Sequence, residues 1–467
     1  MSIKITTKSS LKSLILSVLL TVPAVSARAN YADFGTLLPQ GSEMGFILTN
    51  TAGTVLAEHN ADNMMLPAST LKLVTATAAW LELGPDFRYH TRVFTGEVNN
   101  GVAEGDLIIQ MSGDPTFSRA DLYQLLKQVQ LQGIHTIKGQ LIFDDQLFYG
   151  YDRAKGWPWD DLGVCFSAPA SAVMLDGNCV HVALEPKAGH IAVNKSAHIP
   201  LNIESNVRYE PMSSFCPLEL NVDHQVYRLS GCTNKKTNLA LALDEPEDYV
   251  RKVIYQQLQQ LNISLEGDPD QQQAVTSQVG LHRSATLPKL LTLVLSNSDN
   301  LVSDSILRTL GARKYNVGSF QAGISAMRDS LKINLDMDLG SSDLYDGSGL
   351  SRYNLISPRT LATLLSSWQQ DPRLQPLNDM LPIAGQTGTL RYRKSTAKLN
   401  GKLKAKTGTF KQVANLAGII TTKDDQQLVV VQFVNGINGN SADAKAQVSE
   451  FEQALLQCIH HRCFSDN

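Results

Sequence analysis

The residues that could do chemistry begin with Ser69 and Lys72, a serine and a lysine three positions apart. Positions i and i+3 share one face of a helix, so the hydroxyl and the amine can meet there. Serine is a weak nucleophile at its own pKa and needs a base beside it. A partly buried lysine near another cation can lose its proton and serve as that base. The pair therefore indicates covalent catalysis by an activated serine.

The Ser-x-x-Lys pattern is weak evidence when it is taken alone. It occurs again at Ser9/Lys12 and at Ser395/Lys398. Ser69 also follows a Pro-Ala pair, where a serine often caps the start of a helix through its hydroxyl. A nucleophile and a structural cap are both open interpretations of this residue.

A second candidate motif is Ser298-Asp299-Asn300, which follows a long apolar run. A hydroxyl and an amide two residues apart can point in one direction from a loop. Ser298 could pass a proton to a leaving amine, and the Asn300 amide could hold a substrate carbonyl. The alternative is an ordinary Asx turn or a helix cap.

The third candidate motif is Lys406-Thr407-Gly408, followed by Thr409. The residues around it can form an edge strand that faces a site, and Gly408 would let a substrate backbone approach closely. Lys406 offers positive charge, and the threonine hydroxyls can bind a carboxylate. A solvated strand end is the alternative. A near-copy at residues 386–389 lacks the cation, and we interpret it as a loop.

The elements that must position these motifs are predicted from the apolar periodicity. Residues 44–48 and 54–57 form two short strands, and a helix covers residues 69–83. Residues 416–422 and 428–434 flank a polar tip and predict a buried hairpin. The last helix is predicted to pack on a sheet through one apolar face, which consists of Val448, Phe451, Leu455 and Ile459.

The middle of the chain, from about residue 89 to residue 275, has a different texture. Short β-like runs alternate there with Gly and Asp turns, and 225 residues separate Lys72 from Ser298. The net charge of −3 shows no basic excess of the kind that neutralises phosphates, so nucleic-acid binding is excluded. Nucleotide-binding and zinc-hydrolase motifs are absent from the sequence, and we expect neither a cofactor nor a metal site.

The first residues have the pattern of an export signal. Three lysines precede an apolar stretch at residues 14–25, and Ala27-Arg28-Ala29 fits a cleavage site, with residues 25–27 as the alternative. A membrane anchor would need about 20 apolar residues, and Pro23 interrupts this stretch. We predict a signal peptide at residues 1–29 and a mature chain that starts near Asn30, has no transmembrane segment and works outside the cytoplasm.

The six cysteines agree with export, because disulfides persist in oxidising compartments. Pairing between neighbours in the sequence predicts the disulfides Cys165–Cys179, Cys216–Cys232 and Cys458–Cys463. His460 and His461 lie within the last pair, so a zinc site is the alternative there.

The three motifs occur in the order Ser-x-x-Lys, Ser-x-Asn, Lys-Thr-Gly, a set shared by penicillin-binding proteins and class A β-lactamases. Residues 346–352, 113–116 and 156–159 extend the likeness. Nearly the whole mature chain thus resembles the D-Ala-D-Ala carboxypeptidase family of the penicillin-binding protein 4 type, peptidase family S13. The resemblance implies a periplasmic serine D,D-carboxypeptidase and D,D-endopeptidase. Such an enzyme acts on peptidoglycan stem peptides and cross-bridges and is inhibited covalently by β-lactams.

The resemblance also implies a fold. It is an α/β (α+β) fold with a penicillin-binding transpeptidase/β-lactamase-like domain, in which helices flank an antiparallel sheet. Residues 30–88 plus 277–467 would form this catalytic domain. Residues 89–276 would form a β-rich insertion of two subdomains.

Roles for the motif residues follow from the same resemblance. Ser69 would attack the D-Ala carbonyl and Lys72 would accept its proton. Ser298 would relay a proton to the departing amine, while Asn300 and Lys406 fix the peptide. The backbone N–H groups of Ser69 and Thr409 would form the oxyanion hole.

A substrate pocket is implied as well. Thr407 and Thr409 would hold the terminal carboxylate of the substrate. Asp161 and Phe166 match positions that line a subsite for the D-centre of diaminopimelate, where Asp161 would pair with the amine and Arg352 with the carboxylate. The alternative for Asp161 is an acidic turn residue.

Two other functions stay open at this stage. A β-lactamase-like hydrolase would need a deacylating carboxylate, and the sequence contains no recognisable one. A non-catalytic cell-wall scaffold with a relic site would be expected to have lost motif residues, yet all are intact. A Ser-His-Asp hydrolase is disfavoured because no Gly-x-Ser-x-Gly elbow occurs.

Overall fold

The computed structural model describes residues 34–187, 189–210, 216–224, 226–269, 277–438 and 442–464. The predicted signal peptide and the predicted mature start at Asn30 lie outside these residues. Within the described ranges, no helix combines the length and the apolar character that crossing a membrane requires.

The α-helices of the described residues are α1 Lys72–Leu83, α2 Arg119–Leu131, α3 Pro246–Gln260, α4 Leu287–Leu295, α5 Asn300–Tyr315, α6 Phe320–Leu335, α7 Pro358–Gln370 and α8 Ala442–His460. The starts of α5, α6 and α7 follow ordinary capping chemistry. The side chains of Asp299, Ser319 and Ser357 each accept a backbone N–H in the first turn of α5, α6 and α7.

The strands are β1 Glu43–Asn50, β2 Val55–His59, β3 His90–Thr95, β4 Val98–Asn99, β5 Val102–Ala103, β6 Leu107–Gln110, β7 Thr136–Ile137, β8 Leu141–Asp144, β9 Cys179–Lys187, β10 His190–Asn194, β11 Asn202–Ser205, β12 Arg208–Tyr209, β13 Leu218–Asp223, β14 Val226–Thr233, β15 Thr237–Ala242, β16 Ser264–Leu265, β17 Ser277–Arg283, β18 Leu403–Phe410, β19 Val413–Thr421 and β20 Gln427–Asn435.

A five-stranded antiparallel sheet joins the two ends of the chain in the order β18-β19-β20-β1-β2. Side chains alternate between its faces, as the strand period of two requires. Leu416 and Ile420 of β19 pack with the apolar face of α8, whereas Ala417 and Ile419 pack with the core formed by α1 and α4 to α7. The predicted hairpin, the predicted packing of the last helix and the predicted fold class are confirmed.

Two helical segments, the predicted first helix and the apolar run before Ser298, depart from a regular α-helix. The first helix begins as a 3-10 turn, Ala68–Leu71, and becomes α-helical only at Lys72. The apolar run from residue 291 onward is interrupted between α4 and α5, and the break carries Ser298. Both departures occur where a motif residue leaves regular helical geometry.

The middle region is built from short strands, as its texture predicted. One part contains the sheets β17-β3-β6-β8 and β16-β7-β5-β4 with α2 and α3, and the other contains β9 to β15. β17 pairs with β3 along residues 277–283. We therefore propose that residues 89–283 form the insertion, with two subdomains, and that the catalytic domain resumes after Arg283 rather than after residue 276.

The three predicted disulfides are present, with Cα–Cα distances of 5.3, 5.2 and 5.2 Å. The described residues contain no group of three or more His, Cys, Asp or Glu side chains that could hold a metal ion. Cys458 and Cys463 are bonded to each other, so these two thiols are not available as zinc ligands.

If all six cysteines are paired, a thiol-alkylating reagent should modify none of them in the unfolded, unreduced protein. The same sample should gain six adducts after reduction, because each disulfide releases two thiols. Intact-mass spectrometry counts the adducts, and a protein reduced before alkylation serves as the control. Any adduct before reduction would contradict the complete pairing scheme.

Candidate active site

Ser69 lies in the 3-10 turn that leads into α1, and its hydroxyl faces the site. Lys72 Nζ donates to Ser69 Oγ at 3.1 Å. The cap positions of the turn and of α1 make no side-chain cap hydrogen bond, so the alternative that Ser69 is a helix cap is wrong. Ala68, just before it, has a φ of 48°, a left-handed conformation that is uncommon for a residue with a Cβ.

Lys72 is fully buried and surrounded by oxygen acceptors. Its Nζ also donates to Asn300 Oδ1 and to the backbone carbonyl of Ser348, at 2.6 Å each. Burial lowers the pKa of Lys72 to about 8, although the carboxylates of Asp304, Asp346 and Asp299 oppose that shift. A lysine with this pKa can release its proton near neutral pH and still be held in a defined position.

The Ser-x-Asn motif combines both interpretations that the sequence allowed. Asp299 is an ordinary cap, since its carboxylate accepts the N–H of Val302 at 3.0 Å. The residues on either side of it face the site instead. Ser298 has a φ of 65° and receives Lys406 Nζ at 2.8 Å, while the Asn300 amide donates to the Phe166 carbonyl at 2.7 Å.

The Lys-Thr-Gly motif lies on β18, the edge strand of the sheet, as predicted. Lys406 is fully buried, and its Nζ donates to Ser298 Oγ and to the Thr407 carbonyl at 2.8 Å. The pKa of Lys406 lies well below its usual value. Burial is the largest cause, and repulsion from Lys72 and Arg393 adds to it. The two lysines therefore disfavour each other's protonation.

Gly408 packs closely against the turn that precedes α1. A Cβ at this position would lie 2.6 Å from the Pro67 carbonyl oxygen and 3.1 Å from Ala68 Cβ. The missing side chain thus lets β18 approach the turn that carries Ser69, and the close approach of a substrate backbone stays a prediction.

An open cleft of about 710 Å³ is lined by Ser69, Ser298, Asn300 and Thr409. Asp161, Phe166 and Arg352 line the same cleft, so the structure brings the predicted subsite residues together. The Arg352 guanidinium lies 4.1 Å from the ring centroid of Phe410. Burial and the neighbouring Asp160 raise the pKa of Asp161, and Arg352 and Lys411 oppose that shift.

Sequence reasoning missed a buried carboxylate network under Lys72. Asp304 Oδ1 accepts the backbone N–H groups of Gly347 and Ser348 at 2.8 and 2.9 Å. Asp346 accepts Gly349, Ser351, Asn354 and Trp157. The segment 346–352 was noticed only through its resemblance. Asp304 carries no local signal beyond its position four residues after Asn300.

The structure also shows the contacts of two segments that resemble the motifs, residues 386–389 and the Ser395/Lys398 pattern. The near-copy motif is a 3-10 turn, Gly388–Leu390, and Thr389 Oγ1 accepts Thr407 Oγ1 at 3.0 Å beside the true motif. The Ser395/Lys398 pattern does not form a catalytic pair, because Ser395 is buried against the carboxylate of Glu452 and Lys398 is exposed.

Comparison with known proteins agrees with this arrangement. Residues 29–455 match the D-Ala-D-Ala carboxypeptidase 3 (S13) family. The chain is 34% identical to the D-alanyl-D-alanine carboxypeptidase DacB of Haemophilus influenzae, across 97% of this chain and 98% of that protein. It is 27% identical to a D-alanyl-D-alanine carboxypeptidase of Actinomadura, across 88% and 80%.

Solved structures give the same result. The crystal structure of penicillin binding protein 4 from H. influenzae superposes with a TM-score of 0.85 at 33% identity, over 92% of this chain and 99% of that one. Its complex with a β-lactam superposes with a TM-score of 0.81. The fold and the site therefore define a penicillin-binding serine peptidase of the transpeptidase-like class. The chain belongs to the D-Ala-D-Ala carboxypeptidase (S13) family, which confirms the resemblance.

Gly349 provides a test of how tightly this site is packed. It has a φ of 81°, and a Cβ there would overlap the Ala68 carbonyl next to the nucleophile. Gly340 has a φ of 54° with open space around it. We expect Gly340→Ala to lower the free energy of unfolding by about 1–2 kcal/mol, the cost of a left-handed alanine. Gly349→Ala should lower it by more.

The difference between the two alanine variants isolates the clash, because both place a Cβ at a positive φ. Urea unfolding monitored by circular dichroism measures both free energies. Equal losses would show that the 349 position tolerates a Cβ and that the nucleophile's turn is loosely packed.

Proposed function

We propose that this protein is a serine D,D-carboxypeptidase and D,D-endopeptidase that forms an acyl-enzyme on Ser69. The observation that carries the proposal is the buried amine of Lys72, hydrogen-bonded at once to Ser69 Oγ and Asn300 Oδ1. A free amine in that position can take the serine proton at the moment of attack. The family assignment supplies the reaction class, and the endopeptidase activity goes beyond it.

Acylation begins when Ser69 Oγ bonds to the carbonyl carbon of the D-Ala residue and its proton passes to Lys72 Nζ. The tetrahedral intermediate then collapses and the C–N bond breaks. Ser298, held by Lys406 Nζ at 2.8 Å, gives its proton to the leaving amine and regains one from Lys72, which returns to its neutral form. The product leaves as a free amine, and the acyl group stays on Ser69.

Deacylation reverses these roles with water as the nucleophile. Lys72 takes a proton from the water, the ester bond to Ser69 breaks, and Ser69 regains its proton. The N–H groups of Ser69 and Thr409 stabilise both tetrahedral oxyanions, where one donor can contribute about 10²–10³ in rate. A β-lactam would follow the same first half and deacylate slowly, in line with the β-lactam complex of the H. influenzae relative.

Substrate recognition is assigned to both ends of the cleft. The Thr409 hydroxyl would bind a terminal carboxylate beside the motif strand, and the Thr407 hydroxyl would join it by turning away from Thr389 Oγ1. At the other end, Asp161 would pair with the amine and Arg352 with the carboxylate of a diaminopimelate D-centre, against Phe166. These contacts favour peptidoglycan stem peptides and cross-bridges as substrates.

A periplasmic location fits this substrate and is part of the proposal. Three disulfides support an oxidising compartment. The cell-wall polymer lies outside the cytoplasmic membrane, so an enzyme that cleaves it must be exported.

Covalent labelling tests the nucleophile. We expect fluorescent penicillin to label the wild type on denaturing gels and Ser69→Ala to stay unlabelled. Ser395→Ala, which removes the serine of the second Ser-x-x-Lys pattern, should keep its label. With purified muropeptides, the wild type should release D-Ala from pentapeptides and split D,D cross-links. Ser69→Ala should do neither.

The same assays separate the other functions. Label retained in Ser69→Ala would contradict the assigned nucleophile. Rapid loss of label with hydrolysed penicillin would favour a β-lactamase. Wall binding without muropeptide turnover would favour a scaffold, and release of D-Ala without cross-link cleavage would remove the endopeptidase half of the proposal.

The pKa of Lys72 predicts the pH dependence of acylation. Only the neutral amine accepts a proton, so the second-order acylation rate should rise about tenfold per pH unit below the pKa of about 8 and level off above it. Stopped-flow acylation by a fluorescent penicillin measures this rate across the pH range where the fold is stable. A rate independent of pH would argue against Lys72 as the base.

A further inference from the structure

We propose that Asp304 is a positioning residue for Lys72: it fixes the Ser348 carbonyl against the lysine amine and thereby sets the pH range in which the base works. The inference rests on the proposed function, because it needs Lys72 to act as the base. Asp304 itself faces neither the cleft nor Ser69, and it acts through the segment 346–352.

The geometry forms a short chain of contacts. Asp304 lies four residues after Asn300 on α5, so both side chains share one face of that helix. Asn300 Oδ1 receives Lys72 directly, whereas Asp304 Oδ1 receives the N–H groups of Gly347 and Ser348. The Ser348 carbonyl then accepts Lys72 Nζ at 2.6 Å. One face of α5 thus contacts Lys72 directly through Asn300 and supports it a second time through Asp304 and the 346–352 loop.

The loop has little freedom to provide that carbonyl in any other way. The Gly347 carbonyl accepts the hydroxyls of Thr75 on α1 and Ser303 on α5, each at 2.8 Å. A Cβ on Gly347 would lie 2.9 Å from Leu307 Cβ. Without Asp304, two buried N–H donors at Gly347 and Ser348 would lose their acceptor.

Charge gives the second half of the argument. The titratable groups that act on the charge of Lys72 are the carboxylates of Asp299, Asp304 and Asp346 and the amine of Lys406. The buried negative charge of Asp304 favours the protonated form of Lys72 and opposes burial. In return, burial and the nearby Asp346 raise the pKa of Asp304 to about 8, against the hydrogen bond from Ser348 and the charge of Lys72, which lower it. The two groups therefore titrate as a pair.

The isosteric variant Asp304→Asn separates the charge from the shape. Its Oδ1 can still accept both N–H groups, but the negative charge is gone. We expect the acid limb of the acylation profile to move about one pH unit lower, since Lys72 loses its protonation more easily. Acylation in mildly acidic buffer should then be faster than in the wild type, an outcome that a merely loosened structure would not produce.

Ser303→Ala is the uncharged comparison in the same network. It removes one hydrogen bond to the Gly347 carbonyl, so it should slow acylation about three- to tenfold without moving the acid limb. Asp343→Asn, an exposed carboxylate on the neighbouring loop, should match the wild type in rate and profile. Thermal unfolding by circular dichroism is measured on every variant.

An acid limb unchanged in folded Asp304→Asn would overturn the inference. If that variant does not fold, Ser303→Ala and Thr75→Val decide it: a slowed rate in both supports positioning by the loop, and wild-type rates in both contradict it. A wild type that penicillin does not label would instead refute the proposed function, so the two failures are distinct.

Discussion

Burial of two lysine side chains is the constraint on which the rest of this site depends. Lys72 and Lys406 have no exposure to solvent. A buried ammonium is costly unless acceptors surround it or its proton leaves. Lys72 donates to a hydroxyl, an amide oxygen and a backbone carbonyl. Lys406 donates to the Ser298 hydroxyl and to a carbonyl of its own strand. Helices, loop and strand must therefore meet within hydrogen-bond distance, and this requirement explains the glycines that let them approach.

The inserted region takes part in the same constraint. The Phe166 carbonyl orients the Asn300 amide, and Phe166 follows Cys165, which is joined to the start of β9 by a disulfide. Arg308, fully buried on α5, bonds to Asp152 and to the Ala170 carbonyl of the insertion. The helix whose Asn300 accepts Lys72 is thus anchored from both regions, and loosening the insertion would disturb the position of the Lys72 amine.

Local signals predicted a large part of this arrangement because they are short in range. The spacing of Ser69 and Lys72 places them on one helical face, and the alternation in β19 determines which side chains face α8. Ser298 and Asp299 show where such reasoning stops. Both a cap and a site residue were compatible with the motif. In the structure Asp299 is the cap, and the adjacent Ser298 accepts a hydrogen bond from Lys406 Nζ.

The sequence by itself determined the motif order, the helix and strand periods and the cysteine pairs, since each depends on neighbours along the chain. Only the tertiary structure decided that Asp304 supports the 346–352 loop, that Gly408 faces the turn that carries Ser69 and that Ser395 binds Glu452. Those contacts join segments far apart in the chain. A buried group acquires its partner, and with it its pKa, only when packing removes water and brings that partner close.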